Sequence, residues 1–281
     1  MMEQPKKIFT KMCLSNWGGI SHKILEFNEY INLFSGMSGS GKSTVMDAIQ
    51  ILLYGSMSSN FLNKAADDAK NKRSVFSYLK GEQKDGSANR GNQDFRTILA
   101  LEIFDTGLKT STCIGAWFEV RKNDTAVNKY CFFSHSGTMP EGGYINSEGV
   151  YYSYKELQNL IESRQKSKDN RGRGEVNRIY SSLEAYTTNL NDTIFGYIDG
   201  GRFRTMQKSA IALRMTNGTG QFIRDYMFTR SEGDVIETLS EQLGAYQEIK
   251  EKIDDVKRES ICFLLCRKKG WLWQQRREMQ N

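Results

Sequence analysis

The sequence predicts an α/β protein in which a glycine-rich run links short strands to a first helix, and three observations carry that prediction. FRTILALEIFD, STCIGAWFEVRK and KYCFFSH, between residues 95 and 135, alternate or run apolar over strand lengths with glycine and polar breaks between them. KSTVMDAIQILLY at 42–54 puts Val45, Ile49, Leu52 and Leu53 at helical spacing. Beyond Val150 the texture becomes helical, with amphipathic stretches separated by a charged loop.

Taken in chain order, Ile8–Ser15 and Tyr30–Phe34 suit short strands, with Asn-Trp-Gly-Gly at 16–19 as the turn signal between them. The helix over 42–54 has Gly55 placed to close it, because glycine accepts the left-handed conformation a helix end needs. A polar region follows, with a helix expected around RSVFSYLKGE at 73–82. The three apolar runs then read as an antiparallel meander. SYKELQNLIESRQ is amphipathic, KSKDNRGRGEVNR is a charged loop, and IYSSLEAYTTNL resumes the helical period. From Asp234 to Glu259 apolar residues fall at Ile236, Leu239, Leu243, Tyr246, Ile249, Ile253 and Val256, a near-heptad spacing that takes one step of three where four is expected. The segment reads as the start of a coiled coil, or as a surface helix with one buried stripe. The tail SICFLLCRKKGWLWQQRREMQN breaks that texture, as a frame change, a fragment boundary or a small terminal structure would.

Composition narrows the class. A chain of 281 residues, 38% hydrophobic, 11% aromatic and 26% charged, has material for one good-sized core or two small ones, so disorder is not expected. The net charge of +6 tilts the surface toward anionic partners without establishing nucleic-acid binding. Cysteines at 13, 113, 131, 262 and 266 are odd in number and scattered, which fits reduced thiols rather than a disulfide framework. The two histidines, His22 and His135, lie far from Cys262 and Cys266 in sequence, so no zinc site is expected. MMEQPKKIFT has no apolar signal-peptide core, and no run approaches the roughly 18 apolar residues of a membrane span. A cytoplasmic protein with no membrane partner is the expectation.

The chemistry is concentrated in SGMSGSGKST at 35–44, which fits G-x-x-x-x-G-K-[ST] with Gly36, Gly41, Lys42 and Ser43 at the required places. A loop that wraps phosphate must point several backbone N–H groups inward, a geometry least hindered for residues without Cβ, and Gly36, Gly39 and Gly41 serve that need. Ser38 and Ser40 complete the cradle. The helix N-terminus adds unpaired N–H groups and partial positive charge at Lys42–Thr44. Lys42 is expected to reach the β and γ phosphates of ATP, Ser43 to give its hydroxyl to Mg2+, and Thr44 to help hold the α-phosphate region.

Other parts of a hydrolytic site are not legible. Asp105, ending ILALEIFD, is the nearest acidic residue at a strand end, but no acid follows it directly and its strand alternates as a half-exposed one does. No Leu-Ser-Gly-Gly-like run occurs. Nucleotide binding without turnover by this chain alone is the expectation.

The combination resembles the N-terminal head half of the SMC-like ATPases. In that family an Asn-aromatic turn, here Asn16-Trp17, precedes the Walker A loop; Asp47-Ala48-Ile49 matches the usual Asp-Ala-Ile of the next helix; and the half-head runs into a coiled coil. RSVFSYLKGE at 73–82 and QFIRDYMF at 221–228 look like the MukB-like branch, and most of all the JetC subunits of Wadjet plasmid-defence condensins. The resemblance spans roughly residues 8–258 and implies an ABC/SMC-type half-head with a mixed sheet around the P-loop, an antiparallel subsheet, a helical lobe and a coiled-coil root. It implies a head over 1–230 and an arm beginning at 231–259; the atypical tail at 260–281 stays open to a frame-shifted or truncated product or a small terminal structure.

It also implies that ATP hydrolysis needs a C-terminal half carrying the signature and Walker B motifs, together with a second SMC-like subunit. Double-stranded DNA and kleisin-type and accessory subunits would be partners in the full complex. A glutamine at the junction of the lobes contacts metal and water in the family. Gln221 is the candidate for that catalytic and metal-contacting role, Gln207 the second. Arg73 would approach nucleotide or the opposing head. Residues 164–178 carry Arg164, Lys166, Lys168, Arg171, Arg173 and Arg178 against Asp169 and Glu175, a loop that either grips DNA phosphates or is simply solvated. Tyr180 and Tyr186 read as core. Two rivals stay open: a stand-alone P-loop NTPase or phosphotransferase, and a DNA-binding module with a vestigial P-loop.

Overall fold

The computed structural model describes residues 5–58 apart from Ser38, residue 62, residues 74–166 apart from 84 and 85, and residues 176–204 apart from 197 and 202. These belong to one compact unit, Met1–Arg214; a second unit comprises Met215–Asn281. Arg73, Gln207, Gln221, the centre of the basic loop, the coiled-coil segment and the tail all lie outside the described residues.

β1 (Lys7–Trp17) and β2 (Ile20–Glu26) form an antiparallel hairpin across a turn at Gly18 and Gly19, with Trp17 opposite Ile20. The expected turn is therefore in place, but its second strand is β2, not Tyr30–Phe34. That stretch is not a strand. β1 already has β2 on one edge and β3 on the other, so it has no free edge to offer. The chain from 28 onward closes on itself: Asn28 N donates to Asn32 Oδ1 at 2.7 Å and Asn32 Nδ2 to Asn28 O at 2.9 Å. Side-chain amides satisfying nearby backbone in this way compete with a sheet ladder.

β3 (Phe95–Asp105), β4 (Thr110–Val120) and β5 (Lys129–Ser136) form the expected meander, and β6 (Arg178–Tyr180) completes a six-stranded sheet of order β2-β1-β3-β4-β5-β6. Every pairing among the described residues is antiparallel. β6 falls where the sequence suggested helix, because three residues are too few for an alternation to show. The period of two sorts the side chains cleanly. Met12, Leu14, Leu99, Leu101, Ile114, Phe118 and Phe132 face one core, and Cys13, Ile98, Ala100, Cys113, Trp117 and Phe133 face another. Gly115 of β4 leaves room for the Phe133 ring, since a Cβ there would come within 2.2 Å of it.

The first core is covered by α1 (Lys42–Tyr54), α2 (Val75–Lys80) and α4 (Leu183–Asn189), the last continuing into a π-helical turn at Leu190–Ile194. Gly55 ends α1 in the left-handed conformation, φ 54, as expected. Tyr186 OH donates to Leu52 O at 2.7 Å and ties α4 to α1; Tyr180 and Tyr186 are both buried, as expected for core residues. The second core is covered by residues 137–152 and α3 (Tyr154–Lys166), whose Leu157 and Ile161 are buried. A reciprocal box starts α3: Ser153 N donates to Glu156 Oε2 at 2.7 Å and Glu156 N to Ser153 Oγ at 3.3 Å. Asn146 and Ser153 together hold the Glu156 carboxyl down at a pKa of about 2. No described helix is long and apolar enough to cross a membrane.

Candidate functional site

The glycine-rich run folds into a loop that curls around the head of Lys42. The ammonium donates to Gly36 O at 2.6 Å, Met37 O at 2.8 Å and, more loosely, Ser40 Oγ at 3.3 Å. An ammonium has three N–H donors, so the loop engages all of them. Gly39 and Gly41 hold φ of 86 and 88, values that L side chains rarely adopt, and a Cβ at either would meet nothing within 4 Å. Their freedom is thus used for backbone direction and leaves open space beside the loop.

Gly41 is also the N-cap of α1 and, having no side chain, caps nothing; the first helical bond runs from Val45 N to Gly41 O at 3.1 Å. The N–H groups of the first turn are left for another acceptor, and the helix dipole favours an anion there. Ser43 is exposed on this turn and Thr44 is buried, its methyl packed beneath Gly18. Gly36, Gly39, Ser40, Gly41, Lys42, Ser43 and Thr44 are brought together as the spacing required, whereas Ser38 lies outside the described residues.

The approach to the loop is apolar. Tyr30, Ile31, Leu33 and Met37 are 77%, 80%, 88% and 85% exposed. Phe34 alone of this stretch reaches the core, packing edge-on against Phe27.

Behind the loop lies a second set of contacts that the pattern of residues did not reveal. Trp17 Nε1 donates to Thr44 O at 2.8 Å, the Trp17 and Tyr78 rings stack with centroids 4.6 Å apart, and Tyr78 OH donates to Asp47 Oδ2. Arg90, buried without a carboxylate among its hydrogen-bond partners, donates to Gly18 O at 2.6 Å and Leu79 O at 2.9 Å, and burial pulls its pKa below the ordinary value. One signal was available: Asp47 shares the α1 face of Thr44, Ile51 and Tyr54, and a carboxylate on a buried stripe demands a donor. Nothing in SANRGNQDF marks Arg90.

Asp105 closes the β3–β4 turn. It pairs with Lys7 at 3.0 Å and accepts from Gly107 N and Leu108 N at 2.9 Å each, a structural role as expected, although its strand is not half-exposed: β3 is buried on both faces from Thr97 to Ile103. Of the basic loop, Arg164 donates to Thr138 O at 3.3 Å and Arg178 lies 5.9 Å from the Tyr180 ring centre; residues 167–175 lie outside the described residues.

A family model described as the P-loop containing region of AAA domain matches residues 9–69, which take in β1, β2, the loop and α1. The chain therefore has an α/β fold built on a P-loop. Among solved structures, one from work on ATP-driven dimerization and DNA-stimulated activation of SMC ATPases is 15% identical, with a TM-score of 0.31, covering 58% of this chain and 95% of that one. No curated protein matches.

Proposed function

We propose that the chain is the nucleotide-binding N-terminal half of an SMC-like ATPase head, of the MukB-like branch and nearest the JetC subunits of Wadjet plasmid-defence condensins. One observation carries the nucleotide reading: Gly36, Met37 and Ser40 surround the Lys42 ammonium at the uncapped start of a helix, with open space at Gly39 and Gly41. That space and its donors suit a triphosphate. Of the three Lys42 bonds, the long one to Ser40 is the one a phosphate oxygen would replace, leaving the two carbonyls to hold the ammonium in place.

The first turn of α1 also fits magnesium, which takes few protein ligands and keeps phosphate oxygens and waters for the rest; Ser43, exposed there, would supply the one hydroxyl. Held there, magnesium would supply neutralisation of phosphate charge. Lys42 holds the phosphates, the α1 amides orient them, and the glycines let the backbone approach. On this reading the chain binds ATP and does not turn it over alone. Hydrolysis would wait for a C-terminal half and a second head, and double-stranded DNA with kleisin-type and accessory subunits would belong to the full complex. The exposed Tyr30, Ile31 and Leu33, which lead into the loop without a sheet neighbour among the described residues, support a C-terminal head half as a partner.

Titration calorimetry with magnesium and a non-hydrolysable ATP analogue tests the proposal. The folded chain should take up the analogue, and Lys42→Ala should weaken uptake about 100-fold, the loss of one strong charge-assisted contact. No uptake by the folded wild type overturns it.

A further inference from the structure

We propose that Trp17, Tyr78 and Asp47 form a clamp that positions the first two turns of α1 for nucleotide, and that Trp17 reports on the loop's occupancy. The inference rests on the nucleotide reading above and concerns the residues behind the loop, not those facing phosphate.

The geometry is directed. Trp17 Nε1 bonds the carbonyl of Thr44, two residues beyond Lys42, and Tyr78 OH bonds the carboxylate of Asp47, one turn further on. The two rings are stacked at an interplanar angle of 16° and are fully buried, so neither polar end moves without the other. The clamp is fastened from behind: Gly18 N donates to Tyr78 O at 2.8 Å, and Arg90 bridges Gly18 O and Leu79 O. Gly81 packs so closely that a Cβ there would lie 2.7 Å from Gly18 O.

An apolar pair would hold a helix against the sheet equally well. Burying an indole N–H, a phenol and a carboxylate is costly unless each finds a partner, and here the indole ends on the first turn, whose amides would meet phosphate, and the phenol on the turn that follows it. That expense is understandable if the position of those turns matters, because binding to a pre-arranged set of donors avoids the ordering cost. Phosphate drawing on the first turn of α1 would shift Thr44 O, and with it the surroundings of the Trp17 indole.

The test uses the full chain with magnesium and a non-hydrolysable ATP analogue, at a temperature where circular dichroism shows each variant folded. Tyr78→Phe and Asp47→Ala should each weaken analogue binding about tenfold, and the double variant no further than the worse single one, since both remove the same bond. Tyr180→Phe, which removes another buried tyrosine hydroxyl, bonded to Ser134 and Asn189, should bind as wild type even where its melting point falls. Tryptophan emission should change on binding in the wild type and in Trp117→Phe, and not in Trp17→Phe.

Wild-type affinity in folded Tyr78→Phe and Asp47→Ala overturns the clamp, as does an equal loss in Tyr180→Phe, which would reduce the effect to stability. An emission change that survives Trp17→Phe overturns the reporter role. If the wild type takes up no analogue, the nucleotide reading itself has failed and the clamp falls with it.

Discussion

Lys42 is held by its own loop, and the residues around it divide into those that shape backbone and those that fill space. Gly41→Ala puts a Cβ into open space, so its only local cost is the left-handed φ, about 1–2 kcal/mol. The expected outcome is a melting midpoint lowered by a few degrees with a much larger loss of analogue affinity in calorimetry, because the methyl enters the space phosphate needs. The loop was legible because its spacing is fixed within ten consecutive residues. The clamp was not, because its bonds join residues 27, 31 and 72 apart in sequence. A periodic pattern in one segment carries no record of a partner in another; only the misplaced charge of Asp47 hinted that one existed.

At the scale of elements, α1 is the piece that matters most, and its far end is as constrained as its near end. A Cβ at Gly55 would come within 2.6 Å of Thr187 Cγ2 and 2.7 Å of the Tyr186 ring, on top of a positive φ. Gly55→Ala should therefore destabilise the fold by about 2–4 kcal/mol, measured as a lowered urea midpoint at unchanged slope. Elements with a strong period were readable: α1, α2, α3 and β3 to β5 stand where the sequence placed them, within a residue or two at their ends. β2 was missed because as an edge strand it keeps Ser21, His22 and Lys23 exposed and shows no apolar alternation. Tyr30–Phe34 was misread for the opposite reason. Its composition suits a strand, but pairing needs a neighbour, and a neighbour is not a property of the segment itself.

For the molecule as a whole, the sheet separates a core beneath the loop from a second core beneath α3, and beside the second lies a histidine that adds acid sensitivity below neutral pH. His135 is fully buried with Nε2 2.8 Å from Tyr144 OH, and desolvation depresses its pKa to about 4 from 6.5. A histidine that is harder to protonate when folded contributes stability that is complete above pH 6.5 and is lost as pH falls toward 4. The total is about 3 kcal/mol, at up to about 1.4 kcal/mol per pH unit. Urea midpoints measured from pH 7.5 down to pH 4.5 should fall on that slope, and His135→Gln should flatten it.

That same second core encloses Cys13, Cys113 and Cys131, and burial raises all three thiol pKa values, Cys131 to about 12. A disulfide reagent attacks thiolates it can touch, and these are neither ionised nor reachable in the closed fold. With Cys262 and Cys266 replaced by serine, the colour released by such a reagent would count how often the sheet comes apart. The polypeptide thus carries, on the side away from its phosphate loop, a clock for its own opening.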